Sequence, residues 1–237
     1  MAKKYIIKLN NLKKEAFKAN LDIVENNLVT LTWGNASAFD SEKGILAIKP
    51  SGVPYSTLKW EDMVLVDLDN NIVDSKLKPS SDTKTHLELY KNFSEIKGVV
   101  HTHSKWGTIW SQAQLSIPCL GTTHADHYNS DIPCIPVLTK EQVEGDYERN
   151  TGISIVDYYN NNKLNHILVP GCILAGHAPF TWGTSVKDAV DNSIVLEECA
   201  LMAFYSLQLN EKIKFPDYIL NKHYERKHGD KSYYGQI

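Results

Sequence analysis

Short apolar runs, each cut off by turn residues and interleaved with helical stripes, constrain this chain more than any other feature. Ile45 to Ile48 follows Gly44, and residues 63–68 end at the turn Asp69-Asn70-Asn71. Residues 28–32, 132–137 and 166–169, and a run from Cys172 towards His177, read the same way. Gly98 opens a further strand, Val99-Val100-His101-Thr102-His103, which runs straight into polar residues. Between these lie helical patterns. Asn10 or Asn11 is suited to cap a helix carrying Leu12, Ala16, Ala19, Ile23 and Val24 and ending near Asn26 and Asn27. A second starts at Ser81 or Asp82, the longest spans 185–209 behind the capping pair Ser185 and Asp188, and a last one opens at Pro216 and stops before Gly229. Hairpins interleaved with helices predict an α/β fold, a mainly antiparallel central sheet covered by helices, rather than a wound parallel sheet.

No Pro/Gly/Ser-rich linker or shift of composition divides the chain, so a single domain over 1–237 is expected, with 42% hydrophobic and 22% charged residues. A formal charge of −3 gives no general attraction to nucleic acid or to an anionic membrane, although residues 222–231 are locally basic and would suit a phosphate. The N-terminus lacks a signal-peptide core and no apolar run approaches about 18 residues, so a cytoplasmic location is expected. Cys119, Cys134, Cys172 and Cys199 form no C-x-x-C pair and read as reduced, mostly buried thiols. Neither a dinucleotide fingerprint nor a P-loop is present.

The chemistry gathers on histidines. Side chains two apart on a strand share a face, so His101 and His103 can aim both imidazoles at one ion. His177, in Leu174-Ala175-Gly176-His177-Ala178-Pro179, sits among small residues that would let the backbone approach a crowded centre. Asp82, in Pro79-Ser80-Ser81-Asp82-Thr83, offers a carboxylate and equally looks like a helix cap. Three histidines with or without a carboxylate leave coordination positions open, as a catalytic metal requires.

Several blocks carry a resemblance. Leu28 through Asn35, Ile48-Lys49-Pro50-Ser51-Gly52, Pro79-Ser80-Ser81-Asp82, Val100 through Ser104, Gly121 through Asp126, Lys222-His223-Tyr224 and the ending through Gly235-Gln236 follow in order over nearly the whole chain. Together they resemble the class II aldolase and adducin-like family, and within it the sugar-phosphate 4-epimerases. That resemblance implies an α/β/α sandwich with helices on both faces. It also implies a divalent metal, usually Zn2+, held by His101, His103 and His177 with Asp82 as ligand or close neighbour. A pentulose phosphate is implied beside Asn35, Lys49, Ser51, Gly52, Ser80 and Ser81. A homotetramer is implied too, with active sites between adjacent subunits. Asp126 and Tyr234, the latter from a neighbour's tail, are the implied proton carriers, with His223 reaching the neighbouring site and Glu148 ordering the loop beside it.

The implied reaction interconverts L-ribulose 5-phosphate and D-xylulose 5-phosphate. With the ketone at C2, the C4 proton is not acidified, and no nicotinamide motif supports transient oxidation, so retro-aldol cleavage between C3 and C4 and re-addition is the accessible route. The competing expectations are a class II aldolase acting on fuculose or rhamnulose 1-phosphate, in which Glu usually stands where Asp82 is, and an adducin-type interaction domain, which generally lacks the histidines. Arabinose and ascorbate degradation are equally open as the pathway.

Overall fold

The computed structural model describes residues 2–229 and 232–234, with side chains from residue 9 onward. Its strands are Asn35–Asp40 (β1), Ile45–Ile48 (β2), Val64–Asp67 (β3), Ile72–Asp74 (β4), Gly98–His101 (β5), Cys134–Ile135 (β6), Gly171–Leu174 (β7) and Pro179–Gly183 (β8). They form one sheet in the order β4-β3-β2-β1-β5-β8-β7-β6. Neighbours are antiparallel except β6 and β7, which are parallel. The helices are Ala2–Glu25 (α1), Thr83–Asn92 (α2), Lys105–Ala113 (α3), Thr122–Ala125 (α4), Lys140–Glu144 (α5), Tyr147–Asn161 (α6), Val186–Leu209 (α7) and Asp217–His228 (α8).

Both faces of the central strands are buried, and alternate residues sort onto them with the period of two that a pleated strand imposes. Ala36, Ala38, Ile45, Ala47, Leu65 and Val100 pack under α1 and the first turns of α7, against Ala16, Ile23, Ala189 and Val190. Leu46, Ile48, Val64, Val66, Val99, Phe180 and Trp182 pack on the opposite face with Leu87 of α2, Ile155 of α6 and Leu196 and Ala200 further along α7. Burying each larger side chain contributes roughly 1.5–3 kcal/mol. The result is the mainly antiparallel sheet with helices on both faces that the sequence predicts. No helix among the described residues is long and apolar enough to cross a membrane. Cys119, Cys172 and Cys199 are buried and Cys134 is partly so, all four as free thiols.

Several local expectations change. Asn10 and Asn11 lie inside α1, which already runs from Ala2. Residues 28–32 form a turn, not a strand, because Asn27 and Leu31 adopt left-handed φ of 58° and 56°. Residues 166–169 also turn: the Asn165 side-chain oxygen accepts from the amides of Ile167 and Leu168, closing a local loop in place of a ladder. Residues 132–137 shrink to β6 between Pro133 and Pro136, which lack the amide a ladder needs. The strand at 99–103 stops at His101. α7 keeps its predicted cap, with Ser185 Oγ accepting from the Asp188 amide at 3.0 Å.

Candidate metal centre

The site is built where β5 runs out between β1 and β8. His101, its last residue, pairs with Asn35 on one side and Phe180 on the other. Its Nδ1 donates to the Pro179 carbonyl at 2.9 Å, which leaves Nε2 with a free lone pair. The Phe180 ring stacks on the imidazole at 4.1 Å. The chain entering β1 must pass close by: Gly34 has φ +76°, and a Cβ there would stand 2.7 Å from the His101 carbonyl oxygen.

His103 lies beyond the strand, in the segment leading to Ser104, the extended N-cap of α3. The two-residue spacing therefore brings the imidazoles together although the ladder ends at His101. His177 sits in the turn between β7 and β8, where Gly176 takes φ +72° with open space around its Cβ position. That glycine is required by backbone conformation, which corrects the expectation of crowding. The Gly176 amide donates to the Ser111 carbonyl at 2.7 Å, and the His177 amide to Leu174 at 3.0 Å. The three ring centroids stand 4.9, 4.9 and 5.1 Å apart. One ligand atom from each lies within 4.8 Å of the others.

Asp82 occupies the N-cap position of α2, but its carboxylate makes no cap bond. Instead Oδ2 accepts from Asn35 Nδ2 at 2.6 Å, with Ser80 Oγ at 3.4 Å. Burial opposes its charge, yet the imidazoles of His101 and His86 and the Asn35 amide outweigh burial and hold the carboxyl below its usual range. Burial, reinforced by the neighbouring rings, pushes His177 down to about 3 and His103 down to about 4, so both keep a lone pair at neutral pH. His177 Nδ1 is buried with no hydrogen-bond partner among the described residues. Three imidazoles converging on one point beside an ionised carboxylate, His103 and His177 held neutral and one ring nitrogen unsatisfied, fit a divalent cation.

The segment 49–52 is stitched to 78–80. Ser51 donates its amide to the Lys78 carbonyl and Ser80 to that of Lys49, both at 3.0 Å. Lys49 is buried, its ammonium 4.7 Å from the Tyr55 ring centroid and paired with no carboxylate among the described residues. Burial lowers its pKa. Ser51 and Gly52 are exposed at the turn, Gly52 with φ +69°, and Ser81 is exposed next to partly buried Ser80. Glu148, in the first turn of α6, has its backbone carbonyl bonded by Thr85 Oγ1 at 2.6 Å. Two residues not singled out in the sequence also border the triad: Trp33, 6.1 Å from His103, and Tyr147, 6.5 Å from His177 between ring centroids. Trp33 precedes the Gly34-Asn35 pair that the sequence does single out; Tyr147 carries no such signal.

Asp126 lies in a second cluster. It ends α4, where Arg226 of α8 contacts both its oxygens, at 2.8 Å and 3.0 Å through Nη2, and His223 Nδ1 lies 3.0 Å from Oδ1. Burial raises its pKa, but Arg226, His223 and Lys227 together hold it below the ordinary value. Tyr234 is exposed and lies against the same cations, 5.3 Å from Arg226 and 4.5 Å from Lys227. No hydrogen bond, ion pair or ring contact among the described residues joins this cluster to the triad. A cavity of about 450 Å³ between residues 118–124 and the end of α7 is lined by none of the triad residues and by neither Asp126 nor Arg226.

Comparison with known proteins agrees in scale with this architecture. The model of the Class II Aldolase and Adducin N-terminal domain matches residues 14–204. The L-ribulose-5-phosphate 4-epimerase UlaF of Salmonella paratyphi B (strain ATCC BAA-1250 / SPB7) is 48% identical over 229 residues, 96% of this chain and 100% of that protein. Among solved structures, an L-fuculose 1-phosphate aldolase superposes with a TM-score of 0.76 at 24% identity, covering 91% of this chain and 95% of that one. The L-fuculose-1-phosphate aldolase from Thermus thermophilus gives 0.66 at 20% identity, covering 86% and 98%. At those identities the superpositions speak for the fold. The family match and the full-length relative go further: the chain belongs to the class II aldolase and adducin family.

Proposed function

We propose that this chain is a metal-dependent L-ribulose-5-phosphate 4-epimerase, a single domain over 1–237, acting in the cytoplasm on arabinose- or ascorbate-derived pentulose phosphate. The observation that carries this reading is the 48% identity with an epimerase over 96% of the chain. The site supports it by supplying what the chemistry needs. Cleavage between C3 and C4 of the ketose leaves negative charge on the C1–C3 fragment, shared between C3 and the C2 oxygen, and releases glycolaldehyde phosphate as the other half. A divalent ion, zinc in our reading, held by His101, His103, His177 and Asp82, supplies positive charge where that oxyanion develops.

The remaining steps belong to the chain's own groups. Lys49, Ser51, Gly52, Ser80 and Ser81 hold the phosphate while the aldehyde turns, and the buried ammonium of Lys49, free of a carboxylate partner among the described residues, is suited to it. Inversion needs a proton carrier on each face of the aldehyde. Asp126 and Tyr234 take these roles, one receiving the C4 hydroxyl proton during cleavage and the other donating its own proton to the C4 oxygen on the opposite face, with the pair reset by proton exchange through solvent. His223 reaches the substrate in a neighbouring subunit's site in this reading, although within its own chain it lies on Asp126, and Glu148 orders the loop at the start of α6.

The absence of a direct link between the Asp126 cluster and the triad among the described residues supports a site assembled from neighbouring subunits of a homotetramer. Met202, Tyr205 and Leu209, exposed beside the 450 Å³ cavity, offer apolar surface for such contact. The test is product analysis with L-ribulose 5-phosphate, with and without a chelator. Chelator-sensitive formation of D-xylulose 5-phosphate is expected. Free glycolaldehyde phosphate without inversion marks an aldolase instead, and no turnover overturns the reading.

A further inference from the structure

Tyr147 is the first residue of α6, and its position follows from how that helix is fastened to α2. Lys84 Nζ bonds both oxygens of Asp146 at 2.9 Å, Thr85 Oγ1 donates to the Glu148 carbonyl at 2.6 Å, and Arg149 Nε donates to Glu88 Oε1 at 3.0 Å. α2 begins directly after Asp82. The three contacts therefore lock the first turn of α6 to the helix that presents the site's carboxylate, with Tyr147 between two of them. Its ring stands 6.5 Å from His177, tilted by 40°. Burial, then the charges of Asp82 and Glu148, raise its pKa, so the phenol keeps its proton and acts as a donor. The Thr151 side chain, one turn on, opposes that rise through the phenol and donates its hydroxyl to the Tyr147 carbonyl at 2.9 Å.

We infer that Tyr147 contacts the substrate, donating its phenolic hydrogen bond to an oxygen of the ketose half, C1 to C3, bound beside His177. The inference rests on the epimerase reading above. Tyr147 stands on α6 rather than on the 49–52 and 78–80 segments that suit the phosphate. The C1–C3 half of the ketose carries three oxygens, more than a single ion is expected to hold through the C2 and C3 positions. A neutral, pre-positioned donor at the His177 corner takes one of them without adding charge where an oxyanion forms.

The experiment compares Tyr147→Phe with wild type using L-ribulose 5-phosphate as substrate and inorganic phosphate as inhibitor. Removing one neutral hydrogen bond should lower kcat/KM about tenfold, with bound metal, unfolding temperature and phosphate inhibition unchanged. Wild-type kinetics in the variant overturn the inference while leaving the epimerase reading intact. Weakened phosphate inhibition overturns it by placing Tyr147 at the other end of the substrate. Loss of metal or of folding overturns it by making the residue structural. A wild type that converts no L-ribulose 5-phosphate removes the epimerase reading, and the inference falls with it.

Discussion

The imidazole triad and the Asp126 cluster are held by different forces. His101 is fixed by ladders on both sides and by Pro179, and His177 by a turn between paired strands. Asp126 ends a helix of four residues and is fixed by charged side chains reaching down from α8. Backbone register is indifferent to salt and to moderate pH; ion pairs at a half-exposed helix are not. The imidazole site is therefore a property of the folded sheet, whereas the groups proposed to carry protons depend on the docking of one helix and on its tail.

The comparison breaks hardest at His101. His101→Asn should release the metal and reduce turnover by at least about a thousandfold, because it removes a ligand and the bond to Pro179 together. Metal content by elemental analysis, run beside activity, checks this; a variant that keeps both would strip the triad of its role. Tyr234→Phe should fall next, with turnover down roughly 10- to 100-fold and metal fully retained. If that variant lost metal as well, the two regions would not be separable in the way the geometry implies.

What the sequence reveals divides along the same line. His101 and His103 are legible because a period of two is visible in five residues, even though the ladder ends at His101 and His103 joins the triad from the following segment. β1 escapes notice because Asn-Ala-Ser-Ala-Phe-Asp is made of small and polar residues that are buried on both faces and show no apolar alternation. β8 escapes because Pro179 and Gly183 bracket it like a loop, and α6 because Gly152 interrupts a weak stripe. Residues 28–32 have strand composition but a left-handed Leu31, which nothing in the composition signals. For the second cluster composition offers only a basic stretch, and Asp126, His223 and Tyr234 are reached through the family resemblance alone. That Arg226 clamps Asp126 is a tertiary fact, arising from residues 100 apart.

A smaller effect separates the regions by pH. Asp126 has its pKa held below the ordinary 3.8 in the folded chain despite its burial, through Arg226, His223 and Lys227. A carboxyl depressed in the folded state contributes stability that is present above its unfolded pKa and lost as pH falls through the folded value. Arg226→Met should therefore lower the unfolding temperature at pH 7, and the gap to wild type should close as pH falls below about 4. A gap that did not narrow at all as the pH fell below about 4 would show that Arg226 acts through packing of its stem, not through the carboxylate.

The smallest effect concerns how the triad's third corner is held. Ser104, at the N-cap of α3, makes no cap bond. The half-buried Glu197 of α7 does that work from across the interface, its two oxygens each accepting an amide, from Trp106 and from Gly107, at 2.9 Å. Because His103 immediately precedes Ser104, this carboxylate ties the segment bearing a ligand to the longest core helix. Glu197→Gln removes the charge that favours a helix N-terminus and one of two acceptors, so a loss of about 1 kcal/mol is expected. If the cap also steers His103, metal affinity should weaken by up to about tenfold, the low end of what supporting groups contribute. An equal loss of stability with unchanged metal affinity would mean that the ladder at His101 alone sets the direction of the chain through His103, and that the whole triad, not two thirds of it, is a product of the sheet.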